Sequence, residues 1–490
     1  MAILAIDAGT TGVTALVVSG TGEIVARGYT EFEQHFPAPG WVEHDPQQIW
    51  EAALSSCQQA LKSSPLAPIA IGITNQRETA VVWERATLEA PTNAIVWQDR
   101  RTADLTEELQ QLNEGDWIRL RTGLKLDPYF TSSKFLWWKK NLPEVWAGVE
   151  SGRYALGTID SYLVARITGG ELHITDATNA SRTQLMNLKT TSWDPELLEA
   201  FGVPQSALPK IVSNWGNFGN SNPEHFMGLT LPITGMAGDQ QAALFGQCGF
   251  EVGDSKATYG TGAFILTNTG SEITHSDHGL LATMAYQDAS GKNVYAIEGS
   301  VFVAGAAVQW LRDSLKIIER SSDVEALALQ SGSSAGAVFV QALTGLGAPF
   351  WEPEARGSIL GITRGTTDSN LAFATLEAIA FSVLAVLSAM EQDLGKPLTA
   401  LKVDGGAAAN DLLLQIQADC SQTEVVRAKN LESTGFGAAL LAGLGVGMFN
   451  SIAELQELNP AQARFHPQTD RGAEYNRWLK AIEVTRGFQN

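Results

Sequence analysis

Two glycine-threonine turns, one in each half of the chain, carry residue types suited to binding phosphate. The first is formed by residues 7–12 (DAGTTG) and the second by residues 259–262 (YGTG), and each lies between two apolar, strand-like runs. Glycine lets the backbone approach a ligand closely, and successive N–H groups in such a turn form an anion-binding nest. The pair predicts two related lobes that grip one polyphosphate. The alternative for each turn is a simple hairpin between strands.

A carboxylate stands directly beside the first turn. Asp7 ends the first apolar run, where it is placed to hold a hydrated Mg²⁺ ion against a triphosphate. Its alternative role is that of a turn-forming aspartate that accepts local N–H groups.

The sharpest single candidate for acid–base chemistry is Asp239. It lies in residues 235–243 (GMAGDQQAA), after an apolar run and before an alanine-rich stretch with helical character. A carboxylate there can act as a general base that accepts the proton of an attacking hydroxyl group. An aspartate at a helix start is also a favoured N-cap. The local sequence does not separate the two roles, and an N-cap would itself hold the carboxylate in place.

A dense polar cluster ends another predicted strand at residues 74–78 (TNQRE). Arginine and glutamate side by side are commonly a solvated edge or a local ion pair. Here both neighbouring segments are apolar, which favours a small polyol site in which Arg77 donates to hydroxyl groups and Glu78 accepts from them. By composition alone, Trp97 and Phe264 are core aromatics, and the alternative is an apolar wall against the substrate carbons.

Two patches of small residues are candidates for contact with a nucleoside. Residues 405–410 (GGAAAN) lead from a strand into a helix, and residues 304–309 (AGAAVQ) supply a similar surface with one amide. Small side chains would let a flat nucleobase or ribose lie against the backbone. The alternative is a tight strand–helix packing corner.

The chain pattern predicts an α/β protein that repeats one theme. Strands are predicted at 2–7, 13–18, 69–74, 255–258, 263–268 and 294–298, and helices at 48–63, 302–311, 371–394 and 434–444. A chain of 490 residues is too long for one ordinary core, and we place the domain boundary near residues 246–253. The predicted domains are therefore 1–248 and 249–490.

Composition narrows the class of partner and the compartment. A net charge of −20 argues against non-specific binding to nucleic acid or to an anionic membrane. The three cysteines are widely spaced and odd in number, which fits a reducing compartment. The sequence opens on a strand without a basic leader, and we expect no run long enough to span a membrane. The prediction is a soluble, cytoplasmic protein.

Longer blocks resemble the FGGY carbohydrate kinases, and most closely the members that phosphorylate glycerol. The likeness runs through essentially the whole chain and is carried by residues 39–46 (PGWVEHDP), 72–78 (GITNQRE), 93–98 (NAIVWQ), 127–130 (DPYF), 175–182 (TDATNASR) and 357–377. Blocks of this length are far more specific than a single glycine turn.

The resemblance implies two actin-like, ribonuclease-H-like domains with a nucleotide cleft between them. It implies ATP and Mg²⁺ as cofactors, a homodimer or homotetramer, and MgATP-dependent phosphorylation of glycerol to sn-glycerol 3-phosphate. Asp239 would be the base, and Asp7, through water, and Asp239 would face the metal. The implied glycerol contacts are Arg77, Glu78, Tyr129, Asp239 and Gln240, with Trp97 and Phe264 as the apolar wall. The implied contacts to the nucleotide are Thr10, Thr11, Gly12, Gly260, Thr261, Gly305, Gln309, Gly406 and Asn410.

Two other functions remain open at this point. The first keeps the chemistry and changes the acceptor to a pentulose, erythritol or another sugar. The second is an actin- or Hsp70-like ATPase that uses the clamp as a conformational switch and needs no small acceptor.

The sequence departs from the family pattern in ways that bear on ATP binding and regulation. Ala8 and Thr14 stand where the family often has glutamine and arginine, so one charge is missing from the implied phosphate grip. Thr230 stands where an arginine accompanies inhibition by fructose 1,6-bisphosphate in some members, and we expect no such inhibition. Residues 225–228 (HFMG) resemble a loop whose histidine is phosphorylated by the carrier protein HPr, which would make His225 regulatory; the alternative is an ordinary surface histidine.

Overall fold

The computed structural model describes residues 1–112 and 115–488, so the last two residues of the predicted second domain lie outside it. The strands in these ranges are β1 (Ala2–Ala8), β2 (Gly12–Ser19), β3 (Ile24–Glu31), β4 (Glu43–His44), β5 (Pro68–Asn75), β6 (Ala80–Glu84), β7 (Ala94–Ile95), β8 (Tyr154–Thr158), β9 (Ile174–Asp176), β10 (Met186–Asn187), β11 (Ser192–Trp193), β12 (Lys210–Val212), β13 (Trp215–Asn220), β14 (Pro232–Gly238), β15 (Ser255–Tyr259), β16 (Ala263–Gly270), β17 (Leu281–Gln287), β18 (Asn293–Val301), β19 (Val338–Val340), β20 (Ser358–Leu360), β21 (Ala400–Asp404), β22 (Glu424–Ala428) and β23 (Ala461–Phe465).

The helices alternate with these strands along most of the chain. They are α1 (Pro46–Ser63), α2 (Ala103–Gln111), α3 (Gly115–Thr122), α4 (Thr131–Asn141), α5 (Pro143–Glu150), α6 (Ile159–Thr168), α7 (Ala177–Ala180), α8 (Pro195–Phe201), α9 (Asp239–Gly246), α10 (Gly305–Asp313), α11 (Val324–Ser331), α12 (Asp368–Leu394), α13 (Asp411–Ser421), α14 (Ser433–Gly445) and α15 (Gly472–Gly487). The α/β class predicted from the sequence is confirmed.

The first sheet is covered by helices on both faces. Its six strands run in the order β13-β14-β5-β1-β2-β3. Successive side chains of a strand point to opposite faces. Accordingly, Leu4 and Ile6 of β1 join one apolar cluster with Ile49 of α1, whereas Ile3 joins another with Leu440 of α14. Burial on both faces explains why β1 and β2 are near-continuous apolar runs.

The second sheet repeats the central connections of the first. Its seven strands run in the order β17-β18-β16-β15-β21-β22-β23. Strand β15 is antiparallel to β16 and parallel to β21, just as β1 is antiparallel to β2 and parallel to β5. In both sheets the glycine turn closes the antiparallel pair. The predicted repetition of one theme in the two halves is therefore present.

Helix α14 belongs to the second half of the sequence but packs on the first sheet. The helix contacts β14 directly, because the Thr234 hydroxyl of that strand donates to the Ala442 carbonyl oxygen of the helix at 2.9 Å. Phe436 and Leu440 of this helix share an apolar cluster with Ile3 of β1 and Phe245 of α9. The boundary near residue 248 stays a prediction, and a helix from beyond it in the sequence packs on the first sheet.

The expectation about membrane-length runs is wrong for one helix. Helix α12 has 27 residues, and its length and apolar composition would suffice to cross a membrane. However, 83% of its most apolar stretch is buried inside the protein, and the helix packs against the second sheet. Its apolar side chains therefore pack in the protein core.

Candidate functional site

The two glycine turns have the same internal hydrogen bond. In the first, Gly9 N donates to the Gly12 carbonyl oxygen at 3.0 Å, and in the second Gly260 N donates to the Gly262 carbonyl oxygen at 2.8 Å. Within residues 1–112 and 115–488, the backbone N–H groups of Thr10, Thr11 and Thr261 have no protein acceptor. Each turn therefore presents free donors, as an anion-binding nest requires.

Trp97 connects the two turns. Its Nε1 donates to Thr10 Oγ1 at 3.0 Å, and its ring centroid lies 6.0 Å from that of Phe264, two residues beyond the second turn. The Tyr129 ring is 5.6 Å from the same indole. These three rings are half-buried rather than fully enclosed. They form one apolar wall beside the turns. For Trp97 and Phe264, composition alone indicated a place in the core, and the wall was the alternative.

The guanidinium group of Arg77 lies at the centre of a buried polar cluster. It follows β5, and its side chain is 2% exposed. Its Nε is 3.1 Å from Asp239 Oδ1, its Nη1 donates to Glu298 Oε2 at 2.5 Å, and its Nη2 donates to the Tyr129 hydroxyl at 3.4 Å. Although burial opposes ionisation, Glu298 and Glu78 raise the pKa of Arg77 well above its usual range. The arginine is therefore a fixed cation.

Glu78 is held in an unusual backbone conformation. Its φ of 61° is left-handed, and Thr79 N donates to the Arg77 carbonyl oxygen at 2.7 Å, so the chain makes a γ-turn centred on Glu78. The carboxylate accepts from Arg182 Nε at 2.6 Å. Burial raises the pKa of Glu78 despite the neighbouring guanidinium groups of Arg77 and Arg182.

Asp239 is the first residue of α9, and the N-cap position belongs to Gly238. The N-cap alternative is therefore wrong in its strict form, because the chain enters the helix one residue earlier. The carboxylate still accepts from Gln240 N at 2.7 Å and is 27% exposed, facing the site. Burial raises the pKa of Asp239, although Arg77 and Lys256 act in the opposite direction. A partly exposed carboxylate with a raised pKa is suited to accept a proton.

Family profiles match almost the whole chain. Residues 2–246 match the N-terminal domain of the FGGY family of carbohydrate kinases, and residues 255–446 match its C-terminal domain. The chain belongs to the FGGY family of carbohydrate kinases.

Individual relatives of this FGGY kinase are similar over their full length. It is 48% identical to a glycerol kinase from Bdellovibrio bacteriovorus, with 98% of each chain covered, and 47% identical to one from Streptococcus agalactiae, with 99% of this chain and 98% of the relative covered. A crystal structure of Plasmodium falciparum glycerol kinase with ADP superposes with a TM-score of 0.92 at 37% identity, covering 99% of this chain and 98% of the other. The FGGY kinase thus has the two-domain α/β fold of its relatives.

One residue predicted to face a nucleotide, Gly305, contacts the second turn of this FGGY kinase directly. Gly305 N donates to the Gly260 carbonyl oxygen at 3.0 Å, and a Cβ at Gly305 would lie 2.6 Å from that oxygen. This contact starts α10 at Gly305 rather than at the predicted residue 302. Gly406 has open space where a Cβ would stand. Gln309 is exposed on α10, and Asn410 is the N-cap of α13, accepting from Leu413 N at 2.8 Å.

The environment of Asp7 fits a divalent cation. Burial raises the pKa of Asp7 well above its usual range, and the charges of Asp239 and Glu432 raise it further. No side-chain donor or cation pairs with this carboxylate in the part of the chain that the structure describes. Two carboxylates that repel each other are a suitable setting for Mg²⁺, which binds few protein carboxylates together with phosphate oxygens. In the same ranges, no group of three or more metal-binding side chains occurs.

Three buried charged residues of the site were missed by the sequence reasoning. Arg182 and Glu298 contact Glu78 and Arg77, and the Lys256 ammonium group donates to the Gln240 side-chain oxygen and, at 3.0 Å, to Thr258 Oγ1. Glu298 and Lys256 lie in strands that contain no other charged residue, and charged residues are rarely fully buried without a partner. A charged residue in a strand that is expected to be buried was the sequence signal that could have identified Glu298 and Lys256.

The predicted regulatory loop lies between β13 and β14, away from the cluster around Arg77. His225 is exposed, and its ring lies beside Gly169. Thr230 is also exposed. Phosphorylation of His225 and insensitivity to fructose 1,6-bisphosphate stay predictions.

Proposed function

We propose that this FGGY kinase transfers the γ-phosphoryl group of ATP to glycerol and forms sn-glycerol 3-phosphate. The observation that carries the proposal is the convergence of Arg77, Glu78 and Asp239 beside the aromatic wall of Trp97 and Phe264. Donor, acceptor and base therefore lie together beside apolar rings, which is the combination that a small polyol requires. Identity near 48% over the full length of two glycerol kinases supports the same acceptor.

The polyol contacts follow from the hydrogen-bonding capacity of each side chain. The Arg77 guanidinium group donates to hydroxyl oxygens, and the Glu78 carboxylate accepts from hydroxyl groups. The Trp97 and Phe264 rings cover the C–H surface of the three-carbon chain. Tyr129 and Gln240 complete the proposed contacts.

Asp239 is the proposed general base. Its carboxylate accepts the proton of the terminal hydroxyl group as that oxygen attacks the γ-phosphorus of ATP in line, and the bond to the β–γ bridging oxygen breaks to release ADP. The salt bridge to Arg77 at 3.1 Å orients the carboxylate. Positioning of the two reactants supplies much of the acceleration in such a transfer.

The two turns are the proposed phosphate sites. Thr10, Thr11 and Gly12 would contact the phosphates from one sheet, and Gly260 and Thr261 from the other. Gly305, Gln309, Gly406 and Asn410 would line the nucleoside. Asp7, through water, and Asp239 would hold Mg²⁺, which when bound would neutralise charge on the phosphate oxygens.

A coupled assay of ADP release tests the acceptor and separates the alternatives. Glycerol should exceed erythritol, xylulose and ribulose in kcat/KM, because a larger polyol would displace the wall formed by Trp97, Phe264 and Tyr129. A sugar that outperforms glycerol would replace the proposed acceptor. Sustained ATP turnover without any acceptor would instead favour the switch-like ATPase.

The Asp239→Asn variant tests the base. We expect kcat to fall by about 10²- to 10⁴-fold, since general base catalysis contributes on that scale. Glycerol should still bind, as seen by calorimetry, because Arg77 and Glu78 remain. Undiminished turnover by the variant would contradict the mechanism.

Location, assembly and regulation complete the proposal. We expect a cytoplasmic enzyme that forms a homodimer or homotetramer, with His225 as an acceptor of a phosphoryl group from HPr. Light scattering measures the assembly. Incubation with labelled phosphoryl-HPr should label the wild type and not the His225→Ala variant, and absence of label in the wild type would end the regulatory idea.

A further inference from the structure

We propose that Glu298 and Arg182 are positioning residues that fix the two polyol-binding side chains, Arg77 and Glu78, and thereby orient the base Asp239. This inference rests on the proposed function, since it concerns the same site. It assigns a role to the second sheet in binding the acceptor, because Glu298 lies in β18.

The Glu298 carboxylate accepts two hydrogen bonds from the Arg77 guanidinium group. Its Oε2 accepts from Arg77 Nη1 at 2.5 Å and its Oε1 accepts from Arg77 Nη2 at 3.1 Å. A bidentate arrangement fixes the plane of a guanidinium group as well as its position. The remaining Nε then points at Asp239 Oδ1, at 3.1 Å. The orientation of Asp239 therefore depends on a residue that does not contact it.

Arg182 fixes the Glu78 carboxylate. Its Nε donates to Glu78 Oε1 at 2.6 Å and its Nη2 donates to Glu298 Oε1 at 2.9 Å. Left-handed backbone at a residue other than glycine is strained and persists only where neighbours hold it. Besides Arg182, the Thr131 hydroxyl holds this turn by donating to the Glu78 carbonyl oxygen at 3.1 Å.

The charges form an alternating chain across the two halves of the molecule. It runs from Asp239 through Arg77, Glu298 and Arg182 to Glu78, and the last four of these side chains are 2% exposed or less. Burial opposes the ionisation of Glu298, yet Arg182 and Arg77 hold its pKa at about 2. Glu298 is therefore ionised throughout the range in which the enzyme would be assayed.

Loss of the Glu298 carboxylate would have a defined effect on Arg77. Glu298→Gln replaces a two-oxygen acceptor with an amide that has one oxygen, so the bidentate contact to Arg77 is lost. The plane of the guanidinium group, and through it the orientation of Asp239, would then no longer be fixed.

The test compares Glu298→Gln with the wild type by steady-state kinetics. We expect kcat/KM for glycerol to fall by about 10- to 100-fold, the range found when the partners that orient metal ligands are removed. The KM for ATP should change by less than about twofold, because the nucleotide contacts are elsewhere. Glu298→Asp, which keeps the charge and both acceptor oxygens, should retain more of kcat/KM for glycerol than Glu298→Gln does.

Arg182→Lys is the second variant. It keeps the positive charge but loses the planar fork, so it cannot hold Glu78 and Glu298 together. It should raise the KM for glycerol without changing the KM for ATP, and it tests the proposal even if Glu298→Gln does not fold.

Glu377→Gln is the control matched to Glu298→Gln, because it removes a buried glutamate–arginine ion pair that affects only stability. Glu377 on α12 is also buried and accepts from Arg471 at 2.8 Å, outside the site. This variant should lower the melting temperature and leave the KM for glycerol unchanged. If folded Glu298→Gln behaves in the same way, the positioning role is overturned.

Failure of the proposed function has a different signature. If the wild type releases no ADP with glycerol, the acceptor is wrong, and the same variants are assayed with the polyol that the panel selects. An active wild type with an unaffected Glu298→Gln variant overturns only the positioning role.

Discussion

A cluster of ionised side chains is buried in this FGGY kinase where residues of the two sheets meet. Arg77, Arg182, Glu298 and Lys256 are each 2% exposed or less. Burying paired ions rarely stabilises a protein more than apolar residues of the same volume would. The network is therefore better explained by the proposed polyol site than by stability, and each charge in it has a consequence that can be measured.

Lys256 predicts an alkaline limit for ATP binding. Burial lowers the pKa of Lys256 to about 8, although Asp404 and Asp239 act in the opposite direction. Lys256 lies on β15, which leads into the second turn. Its positive charge is present below about pH 8 and is lost above it. We expect the KM for ATP to rise as the pH passes from 7 to 9.

The Lys256→Met variant provides the control for that rise. It should have a raised KM for ATP already at pH 7 and little further change up to pH 9. A wild-type profile that is flat in this range, or a variant that retains the full rise, would assign the limit to another group.

A substitution at Gly406 tests nucleotide binding without disturbing the fold. A Cβ at this position meets no atom within 4 Å, so Gly406→Ala should leave the melting temperature almost unchanged. If the nucleoside lies against this backbone, the added methyl group should raise the KM for ATP by about tenfold, equivalent to about 1.4 kcal/mol. The KM for glycerol should stay the same, and an unchanged KM for ATP would remove Gly406 from the nucleotide site.

At the scale of the element, α14 decides how closely the two halves approach. It is rich in small residues, and a Cβ at Gly437 would lie 1.8 Å from the Ala242 carbonyl oxygen of α9. Glycine is required there by the close approach of two helices. The composition that suggested a closely packed helix is thus explained by a specific backbone contact.

Gly437→Ala should destabilise the protein without touching the site. Overpacking of a core costs about 1–3 kcal/mol, and backbone cannot yield as a side chain can. We expect a lower urea midpoint of unfolding, with the KM for glycerol and the KM for ATP preserved in the folded protein. Gly487→Ala is the control, because a Cβ at that exposed position at the end of α15 meets no atom within 4 Å. Equal midpoints for the two variants would contradict the packing argument.

At the scale of the whole molecule, the first sheet is incomplete without the second half of the chain. Phe436, Leu440 and Leu441 of α14 are at most 1% exposed and share an apolar cluster with residues of the first sheet. The site has the same property, because Glu298 and Phe264 come from the second sheet. We therefore expect both catalysis and folding to need the two halves together.

Expression of residues 1–248 alone tests this dependence. The fragment would expose the apolar face that α14 covers, and large exposed apolar patches promote association. We expect aggregation or binding of a hydrophobic dye, whereas the full chain stays soluble and unfolds in one transition. A soluble, monomeric fragment with a cooperative transition would show that the first sheet folds independently.

Much of the fold and part of the site could be predicted from the sequence, because the signals were local. The glycine turns, the strands around them and Asp239 depend on neighbouring residues and their spacing. Helix α12 shows the limit of a local signal: its apolar length would suit a membrane, and only its burial reveals a core helix.

The sequence by itself determined the types of chemistry present, since donor, acceptor, base and phosphate-binding turns are properties of residue type and short-range order. Only the tertiary structure decided which of them meet. Arg182 and Glu298 are separated by more than a hundred residues along the chain, and no periodicity links a strand in the second sheet with a segment of the first. Their contact exists because packing of two distant sheets brings opposite charges together where water is excluded.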